Sequence, residues 1–215
     1  MSQIPAEISE VYSSLYHQVC HLHTKWRFFC ELFDSGPENI RLLNWTAPLL
    51  FRVIKDTLAY EVLLDISRLS DPRETRVRKV GAENLSRETL VSRIDARRHP
   101  QLRQDAEHRL DTLRDGCGFA RNLRNKMIAH TDFETFRSGR AVLIEAATRD
   151  NIDKCLSSMA ALMNLVPLHF NEPGVAYNVI SVAGGGRALL VRLTQARSYC
   201  DHLAESLKSF QPPGI

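Results

Sequence analysis

Residues 121–132 of the chain bring basic, amide and imidazole side chains together at close spacing. The segment reads RNLRNKMIAHTD and contains Arg124, Asn125 and His130. RNA cleavage without a metal ion needs a base for the 2′-hydroxyl, an acid for the leaving 5′-oxygen and positive charge beside the phosphate. Histidine performs both proton transfers near neutral pH, and arginine donates a fork of N–H groups to phosphate oxygens. The segment therefore predicts a site for phosphodiester chemistry.

Helical geometry limits how Arg124 and His130 can cooperate. They are six residues apart, which is about 120° around a helix and about 9 Å along it, so a phosphate would have to bridge them. One chain also offers a single such histidine, whereas cleavage needs both a base and an acid. A symmetric dimer would supply the second copy. The alternative is a solvated helix face on which His130 lies near a C-terminus, where the helix dipole favours a cation.

Hydrophobic periodicity predicts that long helices position this segment. Apolar residues recur at steps of three and four through most of the chain, and Pro48 is expected to kink or split the second helical region. Ser86 and Thr148 are the predicted N-caps of two helices. The predicted helical regions are 5–34, 38–70, 86–96, 100–130, 148–169 and 187–209.

The remaining segments contain no convincing run of strands. Residues 71–84 are predicted to form a polar loop, residues 131–147 an irregular segment in which VLIEA is extended, and residues 171–186 a loop with room for a short strand. Helices without strands predict an all-α bundle. We expect a single domain over residues 1–215, with the C-terminal helices of 148–209 packed on the motif segment 121–132.

Charge and composition exclude several classes of protein. The formal net charge of the 215 residues is +3, too small by itself to indicate a polyanion-coating protein. The N-terminus lacks a signal-peptide pattern and no apolar stretch is long enough to span a membrane, which predicts a soluble cytoplasmic protein. The five cysteines form no CxxC pair. We therefore expect buried thiols and neither a disulfide framework nor a zinc site.

Other constellations are weaker. His17 and His21 have metal-ligand spacing, but no third ligand accompanies them, so no metal site and no cofactor are predicted. The AGGGRALL stretch at 183–190 lacks the lysine and the preceding strand of a phosphate-binding loop. No short turn-linked helix pair supports a DNA-binding helix-turn-helix.

Two stretches resemble a known superfamily. Arg124 and His130, with Asn125 directly after the arginine, fit the R-x4–6-H pattern of HEPN proteins. The fuller RNKMIAHTD is similar to the form found in the abortive-infection U-type (AbiU2-like) branch. The ISRLSDP at 66–72 and the helix start at Asn84 resemble the same branch.

This resemblance implies an all-α HEPN bundle that forms a homodimer and cleaves RNA without metal in phage defence or a toxin-like system. Arg124 would clamp the phosphate, His130 would act as general base or acid, and Asn125 would assist. An antitoxin or regulatory protein would be a further partner. The alternative is a non-catalytic HEPN-like dimerisation or interaction module, since a fold does not determine a function.

Further residues are expected to support the site. Asp132 would orient His130 or pair with Arg68, while Lys126 and Arg121 add positive charge beside the motif. An alternative for Arg68 is an ion pair with Asp71 at the end of its helix. Residues 68–98 hold eight Arg and one Lys against five acids, which suits an RNA groove. The candidate RNA-binding residues are Arg68, Arg73, Arg76, Arg78 and Lys79.

Overall fold

A computed structural model describes residues 3–73, 84–129, 147–179 and 184–209, with side chains for all of these except 123, 125–129 and 209. Within these ranges the chain forms eight α-helices and no strand, which confirms the predicted all-α class. A 3-10 turn at Tyr177–Val179 occupies the loop that had room for a strand, and the VLIEA stretch lies outside the described residues. The helices are α1 (Ala6–Phe33), α2 (Pro37–Thr46), α3 (Pro48–Leu69), α4 (Arg87–Ser92), α5 (Pro100–Gly116), α6 (Gly118–Ala129), α7 (Arg149–His169) and α8 (Gly186–Ser209).

Helix boundaries follow local chemistry. Pro48 splits the second helical region, because its ring blocks a continuous helix, and Ala47 leaves the helical conformation at φ −161° and ψ 79°. Thr148 caps α7, where its side-chain oxygen accepts a hydrogen bond from the Asn151 backbone N–H at 3.3 Å. Both boundaries agree with the sequence predictions.

The predicted single helix over 100–130 is wrong, because the chain breaks at Cys117. This residue lies at φ −100° and ψ 4°, between the end of α5 and the start of α6. Glycines on both sides, Gly116 and Gly118, weaken helical preference there. The motif-bearing part of the region is therefore a separate helix, α6, whose direction is set by this junction.

A disulfide joins Cys117 to Cys155 of α7, so the prediction of unpaired cysteines is wrong for this pair. Both residues are buried, and their Cα atoms lie 5.9 Å apart although 38 residues separate them in the chain. Such a pairing depends on spatial approach, which spacing in a sequence does not reveal. The bond ties the start of α6 to α7.

The chain folds into two compact units. The first comprises Met1–His23 and Tyr60–Ile180, and the second comprises Thr24–Ala59 and Ser181–Ile215. In the first unit α5 packs along α7 and also contacts α4. The single domain over 1–215, with 148–209 packed on the motif, stays a prediction. The first unit's fully buried core includes Ile8, Leu15, Leu22, Ile66, Leu102, Leu113 and Met159.

The second unit has its own small core. Leu32, Leu42, Leu43, Phe51 and Leu190 form one buried cluster. The N-terminus of α8 is fixed beside α1, because the Arg187 backbone N–H donates to Glu31 Oε2 at 3.2 Å. Packing is tight at this point, because a Cβ at Gly186 would lie 3.1 Å from Glu31 and Leu32.

His23 of α1 should make the first unit sensitive to acid. Its ring lies 5.6 Å from that of Tyr177, and burial lowers its pKa from 6.5 to about 4, assisted by the Arg87 charge and opposed by the Leu156 carbonyl and Asp153. The unfolded chain therefore binds the proton more tightly. Protonation of His23 thus favours the unfolded state. The first unit keeps its full stability above about pH 6.5 and loses stability as the pH falls towards 4.

We expect the free energy of unfolding to fall by about 1–2 kcal/mol more in the wild type than in His23→Gln between about pH 7 and about pH 4.5. Urea unfolding at the two pH values measures this difference. The exposed neighbour His21 on the same helix provides the control, and His21→Gln should retain the wild-type dependence. Equal slopes for the wild type and His23→Gln would contradict the prediction.

Candidate active site

Arg124 of α6 forms a short ion pair with Asp71, which follows the end of α3. Arg124 Nη1 lies 2.9 Å from Asp71 Oδ1 and 2.6 Å from Oδ2. The two side chains are only 24% and 21% exposed. Two charge-assisted contacts in a partly buried setting constrain the arginine more than an ordinary surface pair does. The guanidinium is thus held beside the end of α3, on a side chain that remains partly exposed.

The end of α3 is secured by side chains that bond its last carbonyls. Ser70 Oγ donates to the Ile66 carbonyl at 2.8 Å, and Arg87 Nη1 donates to the Leu69 carbonyl at 3.1 Å. The Arg87 guanidinium is fully buried, and this burial lowers its pKa to about 9. Arg87 is also the first residue of α4, so one side chain connects the start of α4 to the end of α3.

Pro72 and Arg73, which follow Asp71, are bonded by residues of α4 and of the segment just before it. Asn84 donates from Nδ2 to the Pro72 carbonyl at 2.8 Å and from its backbone N–H to the Arg73 carbonyl at 2.9 Å. The Arg73 N–H donates to Glu88 Oε2 at 2.6 Å, and Glu88 Oε1 accepts from Arg114 of α5 at 2.6 Å. Residues 71–73 and residue 84 are therefore held against each other, and we call this pair of segments the stem.

Ser86 supplies the predicted N-cap of α4. Its hydroxyl oxygen accepts from the Thr89 N–H at 3.4 Å, and Thr89 Oγ1 donates to the Asn84 carbonyl at 2.6 Å. These contacts place Asn84 at a fixed distance before α4. The short helix predicted to reach residue 96 ends at Ser92, so α4 serves mainly to anchor the stem.

The sequence profile of the AbiU2 family of HEPN proteins matches residues 5–182. The chain belongs to the AbiU2 family. The resemblance inferred from the motif segment and ISRLSDP is thereby confirmed, and the family supports a HEPN-type role in abortive infection. No curated protein and no solved structure gives a significant match. Helix α8 lies beyond the part of the chain matched by the AbiU2 profile.

The AbiU2 match covers both partners of the ion pair, yet the partner of Asp71 differs from our expectation. Asp71 binds Arg124, whereas the exposed Arg68 lies 3.8 Å from Asp65, one helical turn earlier. The Arg68–Asp71 pair, which was the alternative to an RNA-binding role for Arg68, is therefore wrong. Because Asp71 points across to α6, the alternative of a simple helix-end pair does not apply to it.

Asp71 is the residue of this AbiU2-family site that the sequence analysis missed. Its position in ISRLSDP was noted, but its partner lies 53 residues away. The sequence did contain a signal for this residue. Two separate stretches resembled the same family branch, and Asp71 lies in one of them while Arg124 lies in the other. Asn84 likewise proves to close the stem.

Several predicted site residues and RNA-binding candidates lie outside the described residues. These are His130, Asp132, Arg76, Arg78 and Lys79. Asn125 and Lys126 lie on α6, but their side chains are not among those described. Arg121 is described, and its Nη2 donates to the Arg114 carbonyl at 3.2 Å, which joins the first turn of α6 to the last turn of α5.

The described ranges of this AbiU2-family chain contain neither a metal-binding cluster nor a membrane-spanning helix. No group of three or more His, Cys, Asp and Glu side chains there has the arrangement of a metal site. None of the helices described combines the length and the apolar character that crossing a membrane requires. The prediction that the chemistry uses neither metal nor cofactor stays a prediction.

Proposed function

We propose that the protein is a metal-independent HEPN endoribonuclease that acts in abortive infection or as a toxin. The observation that carries the proposal is the placement of Arg124. Its side chain is partly exposed and is held beside the turn that leads to Arg73, after which the sequence continues with Arg76, Arg78 and Lys79. A cation that is held in place is what stabilisation of a developing phosphorane charge requires.

In the proposed reaction the two copies of His130 in a dimer perform the two proton transfers. His130 acts as base towards the 2′-hydroxyl in one protomer, while the partner's copy of the same residue protonates the leaving 5′-oxygen. Arg124 binds the non-bridging phosphate oxygens. Asn125 and Asp132 orient these two groups, and Arg121 and Lys126 add to the positive field. The residue roles rest on the HEPN motif together with the geometry of the Asp71–Arg124 pair.

We expect RNA to contact the basic residues at and after the stem. Arg73 is exposed and forms part of the stem, and Arg76, Arg78 and Lys79 follow it in the chain. Arg68 is 63% exposed at the end of α3. Contacts of this kind with RNA phosphates release counterions, so binding should weaken steeply as salt rises. The proposed partners are therefore RNA, a second copy of the chain and an antitoxin or regulatory protein, all in the cytoplasm.

One observation favours the alternative of a non-catalytic interaction module. The Asp71–Arg124 pair, at 2.6 and 2.9 Å, is also what a structural ion pair between helices would look like. On that hypothesis Arg124 fixes α6 against α3 and His130 has no chemical role. Both hypotheses predict a folded helical protein, so only an activity measurement separates them.

Purified wild-type protein is expected to cleave single-stranded RNA in buffer that contains EDTA. His130→Ala should remain folded but lose this cleavage and any growth toxicity, because the proton acceptor and donor are removed. Labelled RNA resolved on a denaturing gel measures the reaction. His108→Ala removes an exposed imidazole of α5 and serves as the matched control. The proposal fails if the wild type cleaves no RNA, or if His130→Ala cleaves it as fast as the parent.

A further inference from the structure

We infer that Asp71 is a positioning residue, which holds the Arg124 guanidinium in the orientation that binds the scissile phosphate. This inference rests on the proposed ribonuclease activity and adds to it a residue outside the R-x4–6-H motif. Asp71 does not touch the substrate in this scheme. It acts through Arg124, and its contribution therefore depends on that arginine being present.

The geometry of the pair supports orientation rather than simple neutralisation. Both carboxylate oxygens of Asp71 lie within 2.9 Å of a single nitrogen, Nη1. A guanidinium is planar and carries its N–H donors over three nitrogens in a fixed fork. Holding one terminal nitrogen at two points therefore limits how the rest of the fork can turn. A carboxylate bound across the whole fork would instead engage two of the nitrogens.

The support of Asp71 is the second part of the argument. Backbone groups on both sides of it are bonded by side chains from another part of the chain: Leu69 by Arg87, Pro72 by Asn84 and Arg73 by Glu88. These bonds hold the turn independently of Arg124, so we infer that the Asp71 carboxylate sets the position of the arginine. Preorganised groups of this kind avoid reorganisation during the reaction.

The Asp71–Arg124 pair is shorter and less exposed than an ordinary ion pair of the same unit. Arg149 and Asp153 lie one turn apart on α7, with a closest approach of 3.4 Å, and are 55% and 48% exposed. Such pairs contribute little and orient little. Asp71 and Arg124 are closer and less than half as exposed, and they join α6 to a turn 53 residues earlier. Three bonded backbone groups, a short contact and partial burial coincide at Asp71.

A kinetic split distinguishes positioning from binding. Asp71→Asn keeps the shape of the side chain but removes a negative charge next to the phosphate clamp, so RNA binding should not weaken. A misoriented clamp instead lowers the rate of the chemical step, and we expect kcat to fall about 100-fold with KM unchanged or lower. Asp71→Glu, which retains the charge, should recover part of the lost kcat.

The decisive measurement is a double-mutant cycle of Asp71→Asn and Arg124→Ala, with EDTA-resistant RNA cleavage as the readout. If Asp71 acts through Arg124, adding Asp71→Asn to Arg124→Ala should change kcat less than twofold. Asp201→Asn, which alters an ion-paired carboxylate of α8, is the control and should behave as the wild type. Thermal unfolding followed by circular dichroism verifies that each variant is folded.

The outcomes separate this inference from the proposed function. An active wild type with an equally active Asp71→Asn overturns the positioning role alone. A raised KM with unchanged kcat, or additive effects in the cycle, also overturns it, because Asp71 would then act independently of Arg124. A wild type that cleaves no RNA overturns the ribonuclease and the positioning role together. If Asp71→Asn does not fold, the same criteria apply to Asp71→Glu, whose kcat must then lie below that of the wild type.

Discussion

Arg124→Ala is expected to lower kcat for RNA cleavage about 1,000-fold, and Arg124→Lys about 100-fold. Removing a preorganised donor from a developing oxyanion typically costs 10²–10³ in rate, and an arginine that stabilises a phosphoryl transition state contributes at least as much. Lysine keeps the positive charge but has no planar fork. It therefore cannot contact Asp71 and two phosphate oxygens in the same geometry.

Single-turnover cleavage of labelled RNA measures these rates without interference from product release. Arg149→Lys makes the same chemical change at an exposed arginine of α7 and should leave the rate unaltered. Full activity in Arg124→Lys would mean that charge alone is needed, which contradicts the role of an oriented fork. Full activity in Arg124→Ala would remove Arg124 from the mechanism.

Reduction of the Cys117–Cys155 disulfide should destabilise the protein strongly. Opening the Cys117–Cys155 bond frees a loop defined by a separation of 38 residues, which in the chain-entropy description lowers the free energy of unfolding by about 4 kcal/mol. Urea unfolding of the oxidised protein with and without a thiol reductant measures this difference. Cys117→Ala combined with Cys155→Ala should unfold at low denaturant whether or not reductant is present.

The number of cysteines that can be alkylated before and after reduction provides the control for this prediction. Cys20, Cys30 and Cys200 are not disulfide-bonded, so the oxidised protein should expose these three thiols to alkylation after denaturation and five after reduction. Cys200 is exposed, so we expect Cys200→Ser to leave the free energy of unfolding unchanged. Five reactive thiols before reduction, or identical unfolding midpoints with and without reductant, would contradict the prediction.

Local chemistry made most helix boundaries predictable. Pro48 separates α2 from α3, and Thr148 caps α7, because the signals for both are contained in a few neighbouring residues. The break at Cys117 was harder to predict. Its glycine neighbours are a weak signal, since an isolated glycine is often tolerated within a helix.

Contacts between distant segments were not predictable in the same way. The partner of Asp71 lies on α6, and that of Cys117 lies on α7. Nothing in the residues around either side chain specifies which helix approaches it, because tertiary packing determines that approach. The family resemblance pointed to both stretches that supply the ion pair, but it did not indicate that the two side chains bind each other.

The sulfur bridge has a consequence for the integrity of the chain. The loop that it closes contains all of α6 and continues through residues 130–146 to α7. Arg137 and Arg140, which trypsin recognises, lie within that loop. A chain cleaved at either arginine still has its two fragments covalently joined, and they separate only when a reductant opens the bridge. Cleavage within the loop therefore cannot by itself release the fragment that bears Arg124 from the fragment that bears α7.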